Sequence, residues 1–223
     1  MAVRLRGLDC GERAALIISE CQSAIVDPAL AIFPGLAEQV ASRGVLARID
    51  ALAQACRAAA VPVIHCIVRL LPDARAFAAP SPLHALMRRN PLLRVDRRES
   101  SVHPAITVDS ADIVCERHHG ITAFHGTELE PLLRGLDVQT VILAGVSTDI
   151  ALPGMAIEAV NRGFSVVIPE DCTAGGGADT HAHAIHNLLP ILATVSDAAS
   201  VHRYIHALAR LHATDASGNE KPE

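Results

Sequence analysis

The stretch "ILAGVSTDIALPGM", Ile142 to Met155, decides how the rest of the chain is read. Its apolar run to Val146 has the length of a strand buried on both faces, the next residues read as a tight turn, and a helix begins near Ala151. A strand, a turn and a helix in that order form part of a βαβ unit. In α/β hydrolytic enzymes such a turn mounts the reactive side chain, and here the position holds Ala151. Pro153 and Gly154 follow at once. Proline is comfortable only in a helix's first turn, so the helix is expected to start late or distorted, with Thr148 or Asp149 as its N-cap.

Working outward, apolar runs of the same length recur: "ALIIS" (Ala15 to Ser19), "PVIHCIV" (Pro62 to Val68), "DIVCE" (Asp112 to Glu116), "TVILAGV" (Thr140 to Val146) and "SVVIPE" (Ser165 to Glu170), with a weaker sixth from Ala193. Between the first two, Val45, Leu46, Ile49, Leu52, Ala53 and Cys56 recur at three and four, one stripe of a helix ending near Ala60. Further helices are expected over Thr127 to Leu136, from the Ile150 region to Arg162 with Gly163 just beyond it, over Asp179 to Leu192, and over Ala199 to Leu211. The pattern predicts a single-domain α/β fold: a doubly wound, mostly parallel sheet of about six strands with helices on both faces. That domain is expected to span 1–212, with an excursion loop over about 70–109 at the sheet mouth and a flexible polar tail over 213–223.

Composition narrows the function classes. Half of the 223 residues are hydrophobic, enough for a sizeable core. With four Phe, one Tyr and no Trp there is no stacking platform for bases, and a net charge of −5 opposes phosphate binding, so nucleic acid is excluded as a partner. Six scattered cysteines without paired spacing indicate free thiols in a reducing compartment, and the N-terminal apolar run is too short for a signal or a membrane span. The expectation is a cytoplasmic protein with no membrane partner.

Ligands of doubly wound sheets bind at the carboxyl ends of the strands, which singles out Glu20, Arg69, Arg117 to His119, Ser147 to Ala151 and Asp171 to Thr173. Here the residues carry a resemblance. "ALIISECQ", "RHHGITAFHGTELEPLLR" and "TVILAGVSTDIALPGMAIEAVNRGFSVVIPEDCTAG" resemble, in order and spacing, the three motif blocks of the isochorismatase-like, or cysteine hydrolase, superfamily. The resemblance covers roughly Ala15 to Leu192. It implies a catalytic set of an Asp after the first strand, a Lys after the third and a nucleophilic Cys at the helix start after the fourth, with an oxyanion held by backbone N–H groups around a non-proline cis peptide. On this chain those positions are Glu20, His118 and Ala151, and the sole lysine is Lys221 in the tail. Cys21 is expected to point away from the site, which leaves Cys172 as a reserve thiol.

What the resemblance then implies is hydrolysis of a small polar molecule without covalent catalysis: Glu20 as acid or base, His118 as its partner, and the backbone around Ser147 and Ala151 as an anion site. His65, Arg117, His119, Phe124, Val146, Ser147 and Thr148 complete the expected substrate-binding set, with no cofactor and no metal. Glu20 pairing with Arg117, or a metal held by His118, Glu20 and His65, are the competing readings of these side chains. His181, His183 and His186 read as a solvated helix face, and the arginines at 88, 89, 94, 97 and 98 as surface ion pairs or a carboxylate-recognition group. A homo-oligomer, dimer or tetramer, follows from the resemblance. The rival from another class is an inactive pseudoenzyme that binds a small ligand or serves in assembly.

Overall fold

The computed structural model describes residues 4–74 and 77–217, with side chains described through residue 207. Seven strands, β1 (Ala14–Ser19), β2 (Val63–Val68), β3 (Ile113–Arg117), β4 (Thr140–Val146), β5 (Ser165–Pro169), β6 (Thr173–Ala174) and β7 (Thr194–Ser196), form one sheet. Its order is β3-β2-β1-β4-β5-β7, with β6 paired to β4, and every pairing is parallel. Every residue of β1, β2 and β4 is buried. Unbroken apolar runs are what a strand covered on both faces requires.

The helices are α1 (Ser23–Val26), α2 (Pro34–Ser42), α3 (Val45–Ala58), α4 (Pro82–Arg89), α5 (Leu129–Gly135), α6 (Ala151–Asn161), α7 (Ala178–His183) and α8 (Ala198–Ser217). Alternation along β1 sends Leu16 and Ile18 to one face and Ala15 and Ile17 to the other. The first face packs against Val45, Ile49, Leu52 and Cys56 of α3 and Val201 and Ile205 of α8. The second packs against Leu129 and Leu133 of α5 and Leu152, Met155 and Ala156 of α6. Two cores separated by a sheet are the doubly wound arrangement that the strand runs predicted. Among the described residues no helix is long and apolar enough to cross a membrane.

Several boundaries differ from expectation. β3 lies one residue later, so that Arg117 rather than Glu116 ends it. Residues 179–192 do not form one helix: α7 gives way to a π-helical turn at Ala184–Leu188 and a 3-10 turn at Leu189–Ile191, where Pro190 lacks the N–H an α-helix needs. The excursion holds α4 and two short 3-10 turns, Pro91–Leu93 and Arg98–Ser100, while positions 75 and 76 within it lie outside the described residues. α8 continues to Ser217, past the Leu211 expected, so the tail's start at 213 falls inside a helix and only 218–223 lie outside the described residues.

α6 starts at Ala151 with Ile150 as its N-cap and Pro153 tolerated in the first turn. Neither Thr148 nor Asp149 caps it. The Thr148 hydroxyl shares a 3.1 Å hydrogen bond with His181 Nδ1, and the Asp149 carboxylate accepts from the Gly176 N–H. One glycine brings β4 against β1: a Cβ on Gly145, whose φ is +96°, would lie 2.3 Å from the Ser19 carbonyl oxygen.

Candidate active site

β1 and β4 are sheet neighbours, yet the chain leaves β1 toward β2 on one side and β4 toward β5 on the other. The crevice opened at such a switch of strand order is where doubly wound sheets bind ligands. Glu20 follows β1 directly, and Ser147 follows β4. The Val146–Ser147 peptide is cis.

Glu20 turns back from the strand with φ 52° in the left-handed region, and its N–H donates to the Cys66 carbonyl at 2.8 Å. Its Oε1 accepts a hydrogen bond from Nη2 of Arg117. Arg117 is itself held by its Nη1 bond to the Gly120 carbonyl, and its side chain is only 4% exposed against 18% for Glu20. Burial pushes the Glu20 carboxyl above its ordinary value, while the Arg117 charge and hydrogen bond pull it down.

A cavity of about 160 Å³ opens beside this pair. Glu20 and Arg117 line it with Ser147, Asp149, Ile150 and Ala151, so the strand-end carboxylate and the start of α6 face one space. In the first turn of α6 the Leu152 N–H donates to the Ser147 carbonyl, the Gly154 N–H donates to the Ile150 carbonyl and Pro153 has no N–H, which leaves the Ala151 N–H for an oxyanion. The remaining wall is mostly apolar: Ile25 of α1, Ile32, Phe33 and Leu36 around the start of α2, Leu83 and Met87 of α4, Leu93 and Ile121. Sequence reasoning missed this wall. Its signal was the spacing of four between Leu83 and Met87, within an excursion judged by its prolines and arginines. Arg88, Arg89, Arg94, Arg97 and Arg98 are absent from the lining. Arg94 donates to the Leu71 and Pro72 carbonyls and Arg97 pairs with Glu99.

Of the other expected residues, several sit elsewhere. His118 is outside the lining, and its Nδ1 donates to the Arg69 carbonyl at 2.7 Å. His119 packs edge-on against His125, and Phe124 is buried against Phe164 in the α6-side core. Val146 and Thr148 are fully buried and do not line the cavity. Nor does Cys172, which is fully buried with its thiol pushed up by burial. His181 is no part of a solvated face: it is 3% exposed, and burial, with the charge of Arg43, lowers it to about 4.

His65 belongs to a second polar cluster. Its Nε2 donates to Asp112 Oδ2 at 2.9 Å, and Arg57 grips the same carboxylate through Nε at 2.9 Å and Nη2 at 2.7 Å. Burial raises Asp112, but these bonds and the Asp109 N–H outweigh it and hold the carboxyl at about 2. Burial keeps His65 below its ordinary value. His65, His118 and Glu20 therefore have separate partners, and among the described residues no group of three or more His, Cys, Asp or Glu is placed to hold a metal ion.

Comparison with known proteins bears on the family and the fold. The isochorismatase domain family matches residues 14–200. The isochorismatase family protein YecD of Escherichia coli O157:H7 is 36% identical over 108 residues, a match spanning 48% of this chain and about half, 55%, of that relative. The maleamate amidohydrolase of Pseudomonas putida is 26% identical over 177 residues, covering 77% of this chain and 76% of that one. Among solved structures, a cysteine hydrolase from Pseudomonas syringae superposes with a TM-score of 0.80 at 23% identity, over 93% of this chain and 98% of the other, a likeness of fold.

Proposed function

This chain belongs to the isochorismatase family of α/β hydrolases, and from that premise we propose that it hydrolyses a small molecule by activating water with Glu20 rather than by forming a covalent intermediate. The observation that carries the proposal is that Glu20, anchored by Arg117, shares one cavity with Ser147 and Ala151 at the start of α6. A carboxylate raised by burial is suited to proton transfer near neutrality. Arg117, not His118, is the cation beside Glu20. The single Glu20 oxygen that Arg117 binds fixes the carboxylate while leaving the side chain at the cavity wall.

The relatives suggest the bond. Maleamate amidohydrolase is, by its name, an amide hydrolase, and an amide would be cleaved here in two proton steps. Glu20 takes a proton from water as the water adds to the carbonyl, the Ala151 N–H at the start of α6 holds the oxyanion, and Glu20 returns the proton to the departing nitrogen. The apolar wall selects a molecule with an apolar body carried behind one polar head. The same reading makes the protein a cytoplasmic homo-oligomer, consistent with its free cysteines, whose mass analytical ultracentrifugation would give.

The test is hydrolysis of primary amides, N-carbamoyl acids and vinyl ethers such as isochorismate, by wild type and Glu20→Gln, with and without a chelator. Turnover by wild type that is lost in Glu20→Gln and indifferent to the chelator supports the proposal. Turnover that survives in Glu20→Gln ends it.

A further inference from the structure

Cys66 of β2 and Cys115 of β3 are direct partners in the parallel register of their strands, and both side chains enter the same core layer. Neighbouring strands run about 4.8 Å apart, inside the roughly 4.4–6.8 Å that Cα atoms span across a disulfide. No other two cysteines are paired by strand register among the described residues.

Cys115 also differs from the other buried thiols in what faces it. Hydrogen bonding with Cys66 is the largest influence on the Cys115 thiol and, with smaller contributions from Thr127 and the Glu128 backbone, lowers it to about 7 against burial. On the opposite face of the sheet nothing comparable offsets burial, which pushes Cys21 and Cys56 up to about 12. The thiolate is the form that attacks an oxidant. Access favours the same pair, because β3 is an edge strand whose Val114 is 44% exposed, so a small oxidant needs only a local opening there.

We propose that Cys66 and Cys115 form a buried two-electron redox site, a dithiol that hydrogen peroxide closes to a cross-strand disulfide and a small thiol reopens. In the first step the Cys115 thiolate attacks peroxide: an S–O bond forms, the O–O bond breaks, hydroxide leaves, and Cys115 becomes a sulfenic acid. In the second, the Cys66 sulfur attacks that sulfur, its proton leaves with the departing oxygen as water, and the S–S bond forms. Two thiols and one peroxide thus give one disulfide and two waters. The site lies beneath the ion pair, since Arg117 is two residues beyond Cys115 and the Cys66 carbonyl holds the Glu20 N–H. The inference does not depend on the hydrolase reading.

The experiment uses the full chain with exposed Cys10 replaced, Cys10→Ser, to remove intermolecular pairing, leaving five thiols. Peroxide treatment of the folded protein, followed by thiol titration in denaturant, should lower five thiols to three, and peptide mass mapping should find Cys66 joined to Cys115 with the loss of two hydrogens. Dithiothreitol should restore all five. A further Cys66→Ala change should leave Cys115 as a sulfenic acid that dimedone captures. If that variant does not fold, the cross-link map of the Cys10→Ser protein decides alone. A link between other cysteines, or thiol loss only in step with unfolding, overturns the proposal.

Discussion

Two acid–cation pairs in this molecule are built from the same materials and end in different roles. Glu20 and Arg117 meet at the carboxyl ends of β1 and β3, and Asp112 meets Arg57 and His65 at the beginning of β3. Asp112 is buried and Glu20 half-buried, and each is hydrogen-bonded to a guanidinium. Asp112 accepts from Arg57, from His65 and from the Asp109 N–H, and at 2% exposure it has no room for anything else. Glu20 has one side-chain donor and a cavity beside it. The contrast teaches that an ion pair becomes a candidate for chemistry through what it leaves open, and that full satisfaction of a carboxylate marks it as structure.

The largest expected effect that would sharpen this contrast is on rate. Glu20→Gln keeps an acceptor for Arg117 but cannot exchange the proton, so turnover should fall by about 10²–10⁴-fold with little change in melting temperature; equal rates would break the contrast. Asp112→Ala should behave the other way. It removes the shared acceptor of half-buried Arg57 and buried His65, at a cost of about 1–3 kcal/mol, lowering the melting temperature by roughly 2–10 °C while the rate per folded molecule holds. Calorimetry and a steady-state assay on the two variants separate the roles.

Acidity separates them next. The Asp112 carboxyl is depressed, from 3.8 to about 2, so its contribution is fully present above its unfolded value and is lost as pH falls through the folded one. Between about pH 4 and pH 2 the wild type should lose about 2 kcal/mol more stability than Asp112→Asn. Glu20 is shifted upward by burial, so the acid limb of the rate profile should lie above that of an ordinary glutamate. Arg117→Gln removes the charge that pulls Glu20 down, and the limb should move to still higher pH. A limb that moves downward in this variant contradicts the assigned pairing. The smallest effect is expected at His118, outside the cavity: His118→Ala gives up one hydrogen bond to Arg69, about 1 kcal/mol, and changes turnover by less than about threefold. A loss as large as that of Glu20→Gln would restore His118 as the catalytic partner.

Much of the scaffold was legible because strands covered on both faces advertise themselves. Thr140–Val146 is the strand its apolar run described, and Val45, Ile49, Leu52 and Cys56 form the buried stripe of α3. Glu20 and Ala151 were also legible, since both abut elements whose ends are sharply defined. The position of the cation was not. Counting back from Phe124 gave His118, but Gly120 adopts positive φ in the intervening loop, and β3 runs one residue further than its apolar run, which delivers Arg117 to Glu20. α1 and α2 were missed because segments this short derive their order from packing on the sheet rather than from propensity.

By itself, then, the sequence determined the alternation of strand and helix, the doubly wound sheet and the carboxylate at the end of its first strand, because burial on both faces imposes a periodicity that survives in one dimension. Only the tertiary structure decided which cation meets that carboxylate, that apolar side chains from α1, α2 and the excursion wall a cavity beside Ala151, and that Cys66 and Cys115 are neighbours. Those are contacts between residues remote in the chain, and they depend on the strand register and loop geometry that bring remote segments together, which no local pattern encodes.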